Sequence, residues 1–344
     1  MKHTSQLSIN AGLLLCGGLL SVSLLSGCGP KESSSAPPAA TPGGPAAGQK
    51  TFLIGVSQAN KGEPWRQAMN DQIAAAAARH PELKVVFADA AQSNTKQVAD
   101  VENFLQQRVD LLIISPNEAG PLTDVVGKVY DAHVPVILLD RKVNGDKYTT
   151  WIGGDNTAIG TEAGQYAAKW CQDNKHAPCS VIEIRGLEGS TPAQERGKGF
   201  RAGLAGNPNV KIVASQNADW LREKALPVAQ AMLQANPSVD VVFSHNDPMA
   251  AAALLSATDA HKDLSKMLFI GIDGLPTPDG GLKSVQAGKQ GVTYVYPTGG
   301  AEAIDSTIKI LEQKQTPAKN VVLKTDEVTQ ANAAQMLAKY GGKS

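Results

Sequence analysis

From Thr51 onward, short apolar runs recur along the chain, each followed by a longer stretch with helical spacing. The runs are Phe52–Val56, Val85–Phe87, Leu111–Ile114 and Val136–Leu139, then Val181–Ile184, Val210–Val213, Val241–Phe243, Leu268–Ile272 and Val292–Val295. Most are apolar at successive rather than alternate positions, so both faces are covered. That is the pattern of parallel strands layered between helices. The stretches between them predict helices over Trp65–Arg79, Asn94–Gln107, Leu122–Ala132, Asn156–Cys171, Leu221–Gln234, Pro248–Thr258 and Thr298–Glu312. In the second of these, Val98, Val101, Phe104 and Leu105 share one face. Strand–helix alternation predicts an α/β fold with parallel sheets. The units are too many for one small domain, so the chain is expected to form two doubly wound parallel-sheet domains.

The residues before Thr51 follow another rule. An apolar run from Ala11 to Leu25 behind Lys2 is too short to span a bilayer comfortably and reads as a secretory signal over residues 1–27. It ends in Leu25-Ser26-Gly27-Cys28, which resembles a bacterial lipobox, with Cys28 the acylated first mature residue. Residues 28–50 then supply the anchor and a Pro-, Ala-, Ser- and Gly-rich linker, too poor in large apolar groups to offset its ordering entropy. Such a tether reaches about 25 Å.

Composition narrows the function. The 344 residues carry 32 basic and 32 acidic side chains, which leaves no electrostatic footprint for nucleic acid. Of the cysteines, Cys16 leaves with the signal and Cys28 is the anchor. Cys171 and Cys179 remain in an exported chain and are expected to form a local disulfide, the alternative being two free thiols. With His176 they fall short of a zinc ligand set, so no metal is expected.

In open parallel sheets ligands bind beyond the carboxyl ends of the strands. There the chain places Glu63, Trp65 and Arg66, then Asp89, then Asp140-Arg141, and in its second half Trp220, Asn246, Asp273 and Tyr296. Carboxylates and amides accept hydroxyl hydrogen bonds, guanidinium groups donate a planar fork, and aromatic rings pack on apolar C–H faces. A sugar asks for that combination. Each member also has a plainer reading: an Asp at a strand end caps a turn or helix, and Trp65 or Trp220 is simply buried. Asp247, followed by Pro248, reads as a helix cap and is left out of the site.

The assembled segments resemble the type I periplasmic sugar-binding proteins, the ribose and galactofuranose binders. The carrying motifs are Val56-Ser57-Gln58 with Pro64-Trp65-Arg66, Leu138-Leu139-Asp140-Arg141, Gly154-Asp155-Asn156, Glu195 to Phe200, Ser244 to Met249, and Gly271-Ile272-Asp273-Gly274. The resemblance implies a sugar flanked by Trp65 and Trp220. It implies hydrogen bonds from Asp140, Arg141, Asn246 and Asp273, with Arg66, Asp89 and Glu63 as further contacts. Gln194 and Tyr296 stand where ribose binders carry Arg and Gln, which argues against ribose itself. The Ser57-Gln58 and Trp65-Arg66 spacing and the Ala177-Pro178-Cys179-Ser180 segment resemble the galactofuranose binders, so a galactofuranose-like sugar or another pentose or hexose is expected. Arg196 is read as a structural residue. The family fold implies a three-segment hinge: residues 51–153 plus 297–325 as one ligand-binding domain, and 154–296 plus 326–344 as the other. It also implies a monomer without cofactor, lipid-anchored in the periplasm or at the cell surface, that serves the permease of an ABC importer.

Three other roles compete. A secreted glycoside hydrolase would also use paired carboxylates, but the chain carries no nucleophile-elbow, metalloprotease or phosphate-loop motif. A sugar-responsive repressor would carry a helix-turn-helix where this chain has its signal and tether. A chemoreceptor partner or sugar-like signal binder of the same fold is not separated by sequence.

Overall fold

The computed structural model describes residues 50–341. Cys28, the signal and almost all of the linker lie outside the described residues. Twelve strands form two six-stranded sheets. The first holds β1 (Phe52–Gln58), β2 (Leu83–Asp89), β3 (Leu111–Ile114), β4 (Val136–Leu139), β5 (Thr150–Gly154) and β11 (Asn320–Leu323), in the order β11-β5-β4-β3-β1-β2. The second holds β6 (Cys179–Arg185), β7 (Val210–Asn217), β8 (Val241–Ser244), β9 (Leu268–Ile270), β10 (Val292–Val295) and β12 (Asp326–Thr329), in the order β12-β10-β9-β8-β6-β7. Pairing is parallel throughout except that β12 runs antiparallel to β10. The expected pair of doubly wound parallel sheets is borne out, with β12 as one antiparallel edge strand that the apolar runs did not predict.

The central strands are buried at every position, as in Leu111–Ile114 and Val241–Ser244, because helices cover both faces. The helices are α1 (Pro64–Ala77), α2 (Asn94–Gln106), α3 (Ala119–Asp131), α4 (Asn156–Asp173), α5 (Thr191–Leu204), α6 (Arg222–Ala235), α7 (Asp247–Asp259), α8 (Gly281–Gln286), α9 (Gly300–Leu311) and α10 (Ala333–Tyr340). The chain leaves the first sheet after β5, returns to it after β10, and crosses again between β11 and β12. We call the sheets, with the helices packed on them, lobe one and lobe two. In each, the order reverses beside the first strand, β1 and β6 respectively, and the crevice at such a reversal is where this architecture binds ligands.

Helix α5 was not among the predicted helices. Its glycines explain both the omission and its position. A Cβ at Gly199 would lie 2.2 Å from the Thr157 carbonyl oxygen, and one at Gly203 would lie 2.2 Å from that of Thr161. Glycine lowers helix propensity by about 1 kcal/mol, yet here it lets α4 and α5 cross backbone to backbone. That contact fixes the start of α5 at the edge of the crevice.

A disulfide joins Cys171 at the end of α4 to Cys179 at the start of β6.

Candidate functional site

The strand-end segments of both lobes converge on one small cavity. Lobe one contributes Glu63, Trp65 and Arg66 from the start of α1, and Asp140 and Arg141 after β4. Lobe two contributes Pro192 and Arg196 from α5, Trp220 after β7, Asn246 at the cap of α7, and Asp273 after β9. Tyr296 comes from the segment that crosses after β10. The space among them is about 20 Å³. Every residue that lines it is buried, so a monosaccharide enters or leaves only if the lobes part.

Asp140 is the electrostatic centre of the lobe-one wall. Its Oδ2 accepts from Nη2 of Arg66 at 2.8 Å, and its Oδ1 accepts from the Tyr296 hydroxyl at 2.8 Å. Arg66 also donates to Oγ of Ser115 at 2.7 Å. Both members of the Arg66–Asp140 pair are buried, so removing either would leave an uncompensated charge. Arg141 donates to the carbonyl of Asn117 at 2.8 Å. Burial, with Arg66 nearby, pushes its guanidinium pKa down to about 9, while Glu63 and Asp140 pull it back up. The Glu63 carboxylate is held by Asn60 at 2.6 Å.

In lobe two, Arg196 donates to Oδ1 of Asn156 at 2.8 Å and to the carbonyl of His245. Asn156 in turn donates to the Tyr296 hydroxyl at 3.1 Å. A continuous buried chain thus runs Arg196–Asn156–Tyr296–Asp140–Arg66, from one lobe to the other through two crossing segments. Burial beside the Asp140 carboxylate raises the pKa of the Tyr296 phenol, which therefore stays protonated as a donor. Behind Arg196, His245 and Glu183 are fully buried against each other, with Nε2 of His245 3.1 Å from Glu183. Burial lowers the pKa of His245, although Glu183 opposes this, so the ring is neutral near pH 7.

The aromatic residues sit differently from one another. Trp65 donates from Nε1 to the Tyr296 carbonyl at 2.8 Å and packs on its ring at 5.3 Å. Trp220 lies over Gly186, where a Cβ would come within 2.2 Å of the indole. The guanidinium carbons of Arg141 and Arg196 stand 5.6 and 5.4 Å from its ring centre.

Asp140, Trp220 and Asp273 all have left-handed φ values, of +66°, +74° and +132°. Such backbone costs on the order of 1–3 kcal/mol per residue and gathers at functional sites. Burial, then the neighbouring Asp247 charge, pushes the Asp273 carboxyl pKa well above the usual carboxylate range. Asp247 is no cap. Asn246 caps α7, accepting from the Met249 amide at 3.1 Å, while Asp247 holds Gly274, Gln290 and Thr293 and so fixes the turn that carries Asp273.

Nine of the ten residues singled out from sequence line this cavity. Asp89 does not. It stands at the end of edge strand β2, half-buried, and its Oδ1 accepts from the Ala91 amide at 2.9 Å, closing a turn. Arg196, read from sequence as structural, is corrected to the cavity wall, and Pro192 joins it. The signal for Arg196 was present in the Glu195-Arg196-Gly197 motif, but without a predicted helix there was nothing to aim the side chain. Among the described residues, no group of three or more His, Cys, Asp or Glu side chains could hold a metal ion.

A family model described as a periplasmic binding protein domain matches residues 54–340. The chain is 34% identical over 237 residues to the ribose import binding protein RbsB of Escherichia coli (strain K12), covering 68% of this chain and 77% of that protein. It is 32% identical over 232 residues to the galactofuranose-binding protein YtfQ of the same organism, covering 65% and 72%. Among solved structures, the fructose-binding periplasmic domain of the hybrid two-component system BT1754 superposes with a TM-score of 0.80 at 38% identity, covering 85% of this chain and 95% of that one.

Proposed function

The chain belongs to the periplasmic binding protein family, and we propose that it captures a monosaccharide between two closing lobes and delivers it to an ABC sugar importer. It is a solute-binding protein, not an enzyme. The observation that carries the sugar reading is the cavity wall itself: Trp65, Arg66, Asp140 and Arg141 face Arg196, Trp220, Asn246 and Asp273 across one small space. Nε of Arg66, Nε of Arg141 and Nε1 of Trp220 are buried without a protein acceptor, and sugar hydroxyls are acceptors of the right kind. A buried hydroxyl left unpaired costs about 1–3 kcal/mol, so such a wall selects among epimers. The sugars named for the relatives, ribose, galactofuranose and fructose, support a pentose or hexose as the ligand class.

Ligand contacts from both lobes favour the closed form, because a ligand shifts a conformational equilibrium by its differential affinity for the two states. The crossings after β5, after β10 and between β11 and β12 would be the hinge, dividing the chain into residues 51–153 plus 297–325 and 154–296 plus 326–344. An acylated Cys28 would tether this unit to a membrane outside the cytoplasm. Mass spectrometry of the mature N-terminus tests that anchor: a chain starting elsewhere or carrying no lipid refutes it. Deleting the gene tests the transport role, which predicts loss of uptake of the bound radiolabelled sugar.

One observation favours a second reading. The 38% identical structure is a periplasmic domain of a hybrid two-component system, so the same site could serve signalling. Unchanged uptake in the deletion strain, with loss of a transcriptional response to the sugar, would select that reading.

A further inference from the structure

Around the cavity mouth the two lobes are joined by contacts that involve none of the cavity-lining side chains. The Ala119 amide donates to the Gly189 carbonyl at 2.9 Å. Nε2 of Gln92 donates to the Asp219 carbonyl at 3.1 Å. The Lys142 amide donates to Oγ1 of Thr191 at 3.0 Å, and Nζ of the same lysine lies 3.5 Å from Oε1 of Glu195. In every case the first residue follows a strand of lobe one and the second follows a strand of lobe two. The fit is close as well as polar. A Cβ on Gly189 would stand 2.7 Å from the Glu118 carboxyl group, which Asn94 holds in place at 3.2 Å.

We propose that Gln92, Lys142, Thr191 and Glu195, with the Ala119–Gly189 backbone bond, form a clasp that fastens the closed lobes whatever sugar the cavity holds. These bonds exist only when the lobes meet, so they stabilise the closed form and contribute nothing to the open one. A protein whose binding-competent state is populated to a fraction f binds every ligand with its affinity scaled by that fraction. The clasp therefore sets affinity for all ligands by one common factor. Discrimination is a difference between ligands, and a common factor cancels from it. Specificity remains with the cavity wall and overall affinity is set at the rim. The Lys142–Glu195 pair, about one-third exposed at each end, contributes least.

The affinity part of this proposal rests on the sugar-capture reading; the closure part does not. The test uses Thr191→Val, which removes an acceptor while keeping shape. It also uses Gln92→Asn, which shortens the reach with a residue that tolerates the left-handed φ of +63° found there. Each variant and the double variant are first shown to melt cooperatively. Affinities for D-ribose, D-galactose, D-fructose and L-arabinose are then measured by calorimetry, and the radius of gyration of the sugar-free protein by small-angle scattering. Each single variant is expected to weaken every sugar that binds by the same factor, about two- to tenfold for one side-chain bond. The sugar-free double variant is expected to be larger than the wild type. Factors that differ among sugars by more than about threefold would place these residues in the recognition surface and overturn the clasp. An unchanged radius of gyration would overturn it as well. If the wild type binds no sugar, the capture reading falls, and scattering alone decides the clasp.

Discussion

The hydroxyl of Tyr296 and the guanidinium of Arg66 grip opposite oxygens of Asp140, each at 2.8 Å. A residue from the segment that crosses between the lobes thus completes the charge centre of lobe one. The Asp140→Ala variant leaves Arg66 buried and unpaired, which destabilises by about 3–5 kcal/mol. Tyr296→Phe keeps the ring against Trp65 but strips one partner from Asp140 and one from Asn156, at a cost of about 1–3 kcal/mol. Chemical denaturation of the sugar-free protein ranks the two, and the order Asp140→Ala below Tyr296→Phe below wild type is expected.

Gly186 is the floor on which Trp220 rests. A single added methyl group meets three indole carbons between 2.2 and 2.4 Å, and the ring must move. Gly186→Ala is therefore expected to lower stability by about 1–3 kcal/mol, as overpacking does, and to weaken sugar binding at least tenfold by displacing the aromatic wall. Calorimetric titration with the best-binding sugar checks this. Affinity equal to wild type would mean that Trp220 does not set the cavity.

The two doubly wound sheets were legible because strands such as Leu111–Ile114 and Val136–Leu139 are apolar at every position, a pattern that follows directly from helices on both faces. What escaped had other causes. β5 reads Thr-Trp-Ile-Gly-Gly, and its glycines, tight against Trp151 and Tyr296, mimic a turn. β11 and β12 pair at sheet edges where burial is partial, so their sequences lack a continuous apolar run. The site was legible as a set of strand ends, since topology fixes where those ends converge. Asp89 misled because its carboxylate accepts from the Ala91 amide and closes the turn after β2 instead of lining the cavity. Arg196 was hidden because its helix is held by glycine contacts that no hydrophobic period reveals.

Asp273 carries a stability cost that depends on pH. Its carboxyl pKa is raised in the folded protein, so its contribution to stability is fully present below the unfolded value of about 3.9 and is lost as pH rises through the folded value. Asp273→Asn abolishes this titration. The variant is expected to melt higher than wild type at pH 7, with the gain shrinking toward zero as pH falls to about 4, while sugar binding weakens. Thermal melts of the sugar-free proteins across that range check it, and a gain that grows on acidification would contradict the account.

The Cys171–Cys179 bond closes a loop with a sequence separation of eight residues. Chain-entropy arguments assign such a crosslink about 2–3 kcal/mol. Reduction, or Cys171→Ser with Cys179→Ser, is expected to lower the midpoint of denaturation accordingly while leaving sugar affinity within about twofold, because the bond lies at the end of β6 away from the crevice. Equal midpoints under oxidising and reducing conditions would show that the crosslink contributes nothing.

The most direct test of the central claim is a titration of the chain from Gln49 onward with single monosaccharides. Ribose, arabinose, xylose, galactose, glucose, fructose and galactofuranose derivatives would be followed by tryptophan fluorescence and thermal melting after removal of copurified ligand. Trp65 and Trp220 line the cavity, so binding should alter emission. A ligand that binds only the folded form at a hundredfold excess over its dissociation constant should stabilise by about 2.7 kcal/mol. The account predicts both signals with one or a few of these sugars, and their loss in Asp140→Ala and Trp65→Ala. Flat fluorescence and unchanged melting with every sugar would contradict it and leave the family and fold without a monosaccharide ligand.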